Sequence, residues 1–206
     1  GRILGPAYYG DLAALVNILG IFGLVQISIG LTIVKFIASE KDERKIGSLV
    51  RWAIYISLGF GIFVATTLIL LAPLINEFLQ IGQSVSIYFL APIIALYAVT
   101  HITRSILQGL LKFGWFVVSL LTEMAIKLSL MIPLVYAGLA VAGALGAFLI
   151  GVFGSLFIGF FPLKKYLLGS NAPRPDLLPL AKYTLPAFMQ GIALTSMYTT
   201  DLFLVK

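Results

Sequence analysis

Hydrophobic residues fill six stretches of about twenty positions or more, Leu12–Ala38, Trp52–Leu71, Val85–Leu110, Trp115–Tyr136, Ala142–Leu163 and Tyr183–Val205, and polar residues gather between them. A helix of about 20 residues crosses the roughly 30 Å hydrocarbon layer of a bilayer. No water is available there to satisfy backbone groups, so only helices or closed barrels can span it. The runs are continuous rather than alternating, which selects helices. The pattern therefore predicts an all-α integral membrane protein, a polytopic bundle of about six transmembrane helices forming one transmembrane domain over residues 1–206.

The intervening segments alternate in charge. Residues 40–51 hold Lys41, Arg44, Lys45 and Arg51, and 76–84 hold no Lys or Arg. Lys112 lies in the next connection, 137–141 is uncharged, and 164–182 supplies Lys164, Lys165, Arg174 and Lys182. Cytoplasmic connections carry the Lys/Arg excess, so the basic loops face inward, the region around Arg2–Asp11 faces outward, and the last helix runs outward from Lys182. Trp52, Trp115, Tyr166 and Tyr183 cluster beside the basic loops, while Tyr88 and Tyr136 fall at the opposite ends, as interfacial aromatics should. The net charge of +6 thus reads as topology in a multi-pass protein of the cytoplasmic membrane rather than as affinity for nucleic acid. With 60% hydrophobic and 11% charged residues, against roughly 45–50% and 25% in a soluble domain, no soluble catalytic domain fits into the short loops.

Polar side chains within the spans carry the functional signal, because a charge at the bilayer centre costs about 2.5–3.5 kcal/mol on insertion scales and usually faces a protein interior or a wet cavity. Tyr97, His101, Arg104 and Gln108 are spaced by four, three and four, on one helical face. That face reads as a cavity wall in which Arg104 offers a fork of donors suited to phosphate; the alternative is an arginine that snorkels to the nearby headgroups. His101 taken alone reads as a packed, hydrogen-bonded residue. Glu123 and Lys127, four apart with the acid first, form a favourable intrahelical pair, read as structural or as a gate that exchanges partners. Asp201 and Gln190, eleven apart and nearly on one face, line the same cavity, take part in H⁺ or Na⁺ coupling, or lie at the outer interface. Gly143, Ala147, Gly151, Ser155 and Gly159 form a small-residue stripe at every fourth position, which lets helix backbones approach closely in lipid. One histidine, no cysteine and scattered carboxylates supply neither a nucleophile–base set nor metal ligands. The reading is of a non-enzyme without a cofactor.

The opening residues 1–12, GRILGPAYYGDL, resemble the "R-x-L-G-P-x-x-Y-G" segment that follows the first helix of polysaccharide (O-antigen, Wzx-like) flippases of the multidrug/oligosaccharidyl-lipid/polysaccharide exporter superfamily. Gly30–Glu40 is similar to the end of that family's second helix, Ile106–Gly109 to its "L-Q-G" turn, and Pro186 with Thr200–Lys206 to its seventh. The resemblance implies a fragment spanning helices two to seven, most of the first lobe of a two-lobed transporter, with an earlier helix and a second lobe elsewhere in the chain. It implies a substrate, undecaprenyl-pyrophosphate-linked oligosaccharide, moved to the outer leaflet by alternating access for polysaccharide biosynthesis, and partners in that assembly pathway besides membrane lipids. On that reading Arg104 and Gln108 lead the candidates for the pyrophosphate path, followed by Lys35, which shares a helical face with Asn17 and Ser28. A lipid II flippase and a multidrug/cation antiporter of the same superfamily are the alternatives.

Overall fold

The computed structural model describes residues 5–79, 85–168, 175, 178–180, 182–190 and 193. Its long elements are α1 (Gly5–Ser39), α2 (Glu43–Leu79), α3 (Val85–Gly109), α4 (Phe113–Leu134) and α5 (Ala140–Phe160); α5 continues through a 3₁₀ turn at Phe161–Leu163 into the short α6 (Lys164–Leu167). Residues 178–180 and 182–190 are helical as well, the start of the sixth expected span, whose remainder lies outside the described residues. No strand occurs among the described residues, and the chain is an all-α membrane bundle.

Among the described residues, four stretches are long and apolar enough to cross a membrane: Tyr8–Ser39, Glu43–Glu77, Ile87–Gly109 and Phe113–Leu167. The last is 55 residues long, more than twice what a crossing needs, and it folds back on itself. Gly138 takes φ 86° and Ala140 φ 42°, left-handed values that reverse the chain and that glycine adopts without strain. A five-residue π-turn, Val135–Leu139, leads into this reversal. The pairs Ser119–Ser155, Glu123–Gly151 and Leu134–Gly143 are in contact across the hairpin; their residue numbers sum to 274, 274 and 277, the signature of antiparallel neighbours.

The stripe of small residues on α5 does what small residues do in lipid. All five are buried, and the space a Cβ would take at Gly151 is filled by Lys127 Cγ at 2.8 Å and the Glu123 carbonyl oxygen at 3.0 Å, at Gly159 by Thr103 Cγ2 at 2.7 Å. Contact of this kind lets α5 lie against α4 on one side and α3 on the other. Gly30 of α1 sits likewise under Ser105, and Gly109 of α3 against Ile37 and the Val34 carbonyl.

Two apolar clusters fill the interior. One, with Ile33, Val50, Ile102, Ile106 and Leu163, lies towards the basic loops; the other, with Leu15, Leu68, Leu90, Ile93 and Leu145, lies towards the opposite end. At the end that carries the basic loops, three basic connections meet. Lys165 pairs with Glu43 at 2.9 Å, Lys112 Nζ donates to the Pro162 carbonyl at 2.9 Å, and Arg51 Nη1 donates to the Tyr166 carbonyl at 3.5 Å. Tyr166 is buried there beneath the ammonium groups of Lys112 and Lys165, rather than free at the interface. Burial, and secondarily Lys165, holds the Lys112 ammonium below the usual lysine range.

Candidate functional site

Between the two apolar clusters lies a polar layer, built where α3, α4 and α5 meet. On α4, Ser119, Glu123 and Lys127 are four residues apart, so one face of an otherwise apolar helix is polar. Ser119 and Glu123 are the two fully buried residues of that helix. Arg104 projects from α3 into this face and is only 8% exposed. Its Nη2 donates to Glu123 Oε2 at 2.5 Å, to Ser155 Oγ at 2.7 Å and to the Ser119 carbonyl at 3.2 Å, while Nε reaches Ser119 Oγ at 3.3 Å. The Ser119 and Ser155 hydroxyls share a hydrogen bond at 2.9 Å. The other Glu123 oxygen pairs with Lys127, whose ammonium lies over the Phe148 ring at 4.2 Å and the Tyr97 ring at 5.7 Å. One carboxylate therefore serves two cations, and three helices are tied together at the depth where any unpaired member would be most costly.

The intrahelical pair expected of Glu123 and Lys127 is present, but it is two-thirds of a triad. Arg104 does not snorkel: its guanidinium turns inward. Of the residues sharing its helical face, Tyr97 borders the same cluster and stacks obliquely with His101, ring centroids 6.4 Å apart. His101 instead looks towards α1, where its Nδ1 lies 3.7 Å from the Cβ position of Gly30, and that nitrogen has no hydrogen-bond partner among the described residues. Gln108 is half-buried at the basic-loop end of α3. Ser119 and Ser155 complete the cluster and were not singled out as site residues from sequence; the i, i+4, i+8 run of Ser119, Glu123 and Lys127 was the signal that points to the first. Ser155 is legible only as a member of the small-residue stripe.

The other candidates fall on a second surface. Asn17 and Lys35 are both exposed on α1, five helical turns apart on one face. Ser28, expected on that face, is covered by the helix containing residues 182–190. Ser28 Oγ donates to the Ala187 carbonyl at 3.4 Å, Thr32 and Thr184 hydroxyls meet at 3.1 Å, and the Lys35 ammonium lies 3.6 Å over the Tyr183 ring. These pairs sum to 215, 216 and 218, so the last helix runs antiparallel to α1, as the charge pattern requires. Gln190 is exposed on it, and Asp201 lies outside the described residues. Beside this contact α1, α2 and the last helix enclose an open apolar cavity of about 650 Å³, lined among others by Val25, Ile29, Trp52, Ile56, Thr184 and Phe188.

A charged network locked inside three helices and a separate open apolar cavity are the layout of a polytopic membrane bundle. Comparison with known families agrees in kind: the family model described as polysaccharide biosynthesis protein matches residues 1–205. The chain belongs to the polysaccharide biosynthesis protein family. No curated protein and no solved structure matches it. Membership covers all the helices described above, so the triad and the groove both belong to the family domain itself. It fits a multi-pass membrane protein with a transport role in polysaccharide biosynthesis.

Proposed function

We propose that this chain forms the greater part of one lobe of a flippase that moves a lipid-linked oligosaccharide, of the undecaprenyl-pyrophosphate kind, across the cytoplasmic membrane by alternating access. The observation that carries this reading is the family match over residues 1–205, which coincides with a bundle that pairs Arg104, Glu123 and Lys127 internally and displays Lys35 on α1. Alternating access needs a lobe that moves as a body. The Arg104–Glu123–Lys127 triad ties α3 to α4, and the bonds of Ser155 to Arg104 and Ser119 add α5, which supplies that rigidity.

On this reading the site residues divide by role. Arg104 has Nε and Nη2 engaged by Glu123, Ser119 and Ser155, so its main contribution is to hold the lobe. Lys35 and Asn17, exposed on α1, are better placed to meet substrate. The test is complementation of a flippase-deficient strain at matched expression, scored by surface glycan, beside translocation of a lipid-linked oligosaccharide into vesicles containing the purified full-length protein. Restored glycan and protected sugar are expected. Efflux of a cationic dye without either would favour the antiporter and overturn the proposal.

A further inference from the structure

The cavity between α1, α2 and the last helix is apolar along its length and cationic at one end. Along α1 its lining runs from Val25 to Ile33, about 12 Å at 1.5 Å per residue, which is most of one leaflet of a hydrocarbon layer roughly 30 Å thick. Its volume of about 650 Å³ lies within the range of about 300–1,000 Å³ found for dedicated ligand sites. The polar groups that border it, Ser28 and Thr32, are already bonded to Ala187 and Thr184, so the walls ask for nothing but hydrocarbon.

At the inner end the character changes within one turn. Lys35 follows Thr32 on α1, and its ammonium rests over the Tyr183 ring at 3.6 Å, next to the lining residue Thr184. Among the described residues no carboxylate lies in ion-pair range of Lys35. A cation held on an aromatic face, exposed, and lacking an internal counter-ion is available to an external anion.

We infer that this groove is the seat of the isoprenoid chain of a polyprenyl diphosphate, with the diphosphate at Lys35 and the chain rising between Ile29, Ile56 and Phe188. The inference rests on the flippase reading and adds where the carrier lipid is held. Charge complementarity selects an anionic head at the inner end, which is the leaflet from which an exported lipid would enter. A single groove takes a single chain, and a polyprenyl diphosphate brings one, whereas an anionic phospholipid brings two.

The experiment uses the full-length protein in phosphatidylethanolamine vesicles, a benzophenone-bearing polyprenyl diphosphate and the matching uncharged polyprenol, with labelled peptides mapped by mass spectrometry. Label is expected on the peptides carrying residues 25–33 and 180–188. Ile29→Trp, which fills the groove, should abolish labelling by both probes; Thr184→Phe provides the same test should Ile29→Trp fail to yield a monodisperse protein. Lys35→Gln should lower labelling by the diphosphate about tenfold, the scale of one charge-assisted contact, and leave labelling by the polyprenol unchanged. Label elsewhere, labelling that survives groove filling, or equal competition by phosphatidylglycerol would overturn the inference. Glycan export is scored in parallel. A wild-type protein that labels at the groove but exports nothing defeats the flippase reading alone, whereas full export by the groove-filled variants defeats the groove alone.

Discussion

Removing the Glu123 carboxylate should damage this protein more than removing either of its cationic partners. The reason is a count: Arg104 and Lys127 share Glu123, so Glu123→Gln leaves two cations facing each other in the membrane interior, while Lys127→Met leaves a neutral Arg104–Glu123 pair with its Ser119 and Ser155 bonds intact. Breaking a buried pair from one side costs about 3–5 kcal/mol, and Glu123→Gln should fall there or above. Lys127→Met should stay within about 1 kcal/mol of wild type, since a thioether packs acceptably on the Phe148 ring that the lysine now covers. Arg104→Met falls between them, because it forfeits four hydrogen bonds yet spares the Glu123–Lys127 pair. An isolated Glu123–Lys127 pair would tolerate joint apolar replacement. The structure reverses that expectation: the double replacement strands the Arg104 guanidinium, and only the triple apolar replacement of Arg104, Glu123 and Lys127 should recover most of the loss. The assay is thermal unfolding of the full-length protein in detergent, followed by tryptophan fluorescence and by the monodisperse fraction on gel filtration. Lys127→Met as harmful as Glu123→Gln, or a double variant as stable as wild type, would refute the triad as the source of the stability.

Other consequences are simpler to check. Gly151→Ala should lower stability by about 1–3 kcal/mol through overpacking, since its Cβ would meet Lys127 Cγ and the Glu123 carbonyl; Gly146→Ala, with nothing within 4 Å, is the control and should be neutral or gain about 0.5–1 kcal/mol from reduced backbone freedom, both read as melting temperatures. Gly138→Val forces a β-branched residue into φ 86° and should cost on the order of 1–3 kcal/mol, seen as reduced folded yield of a protein whose α4–α5 reversal is strained. Cysteine at Tyr136, exposed at the outer end, should react with an impermeant thiol reagent in intact cells, and cysteine at Asp42, exposed between α1 and α2, should be blocked; the opposite pattern would invert the orientation.

Fold class was legible in the chain because a bilayer punishes unsatisfied backbone so heavily that long apolar runs admit one answer. A reversal at residues 137–141 was legible too, where an uncharged pentapeptide with Gly138 separates two halves of one apolar stretch. The small-residue stripe on α5 announced close packing through its period alone. Partners were another matter. Periodicity placed Arg104 on a polar face and paired Glu123 with Lys127, but it ranks residues within a helix and is silent between helices. Which neighbours the polar face of α3 would meet depended on the α4–α5 hairpin laying Ser119, Glu123 and Ser155 opposite Arg104. Sequence likewise put Lys35, Ser28 and Asn17 on one face of α1, and only the antiparallel seating of the last helix separated them, burying Ser28, leaving Asn17 open and setting Lys35 on Tyr183. Local pattern fixes what a residue can tolerate around it; the crossing of helices decides what it touches.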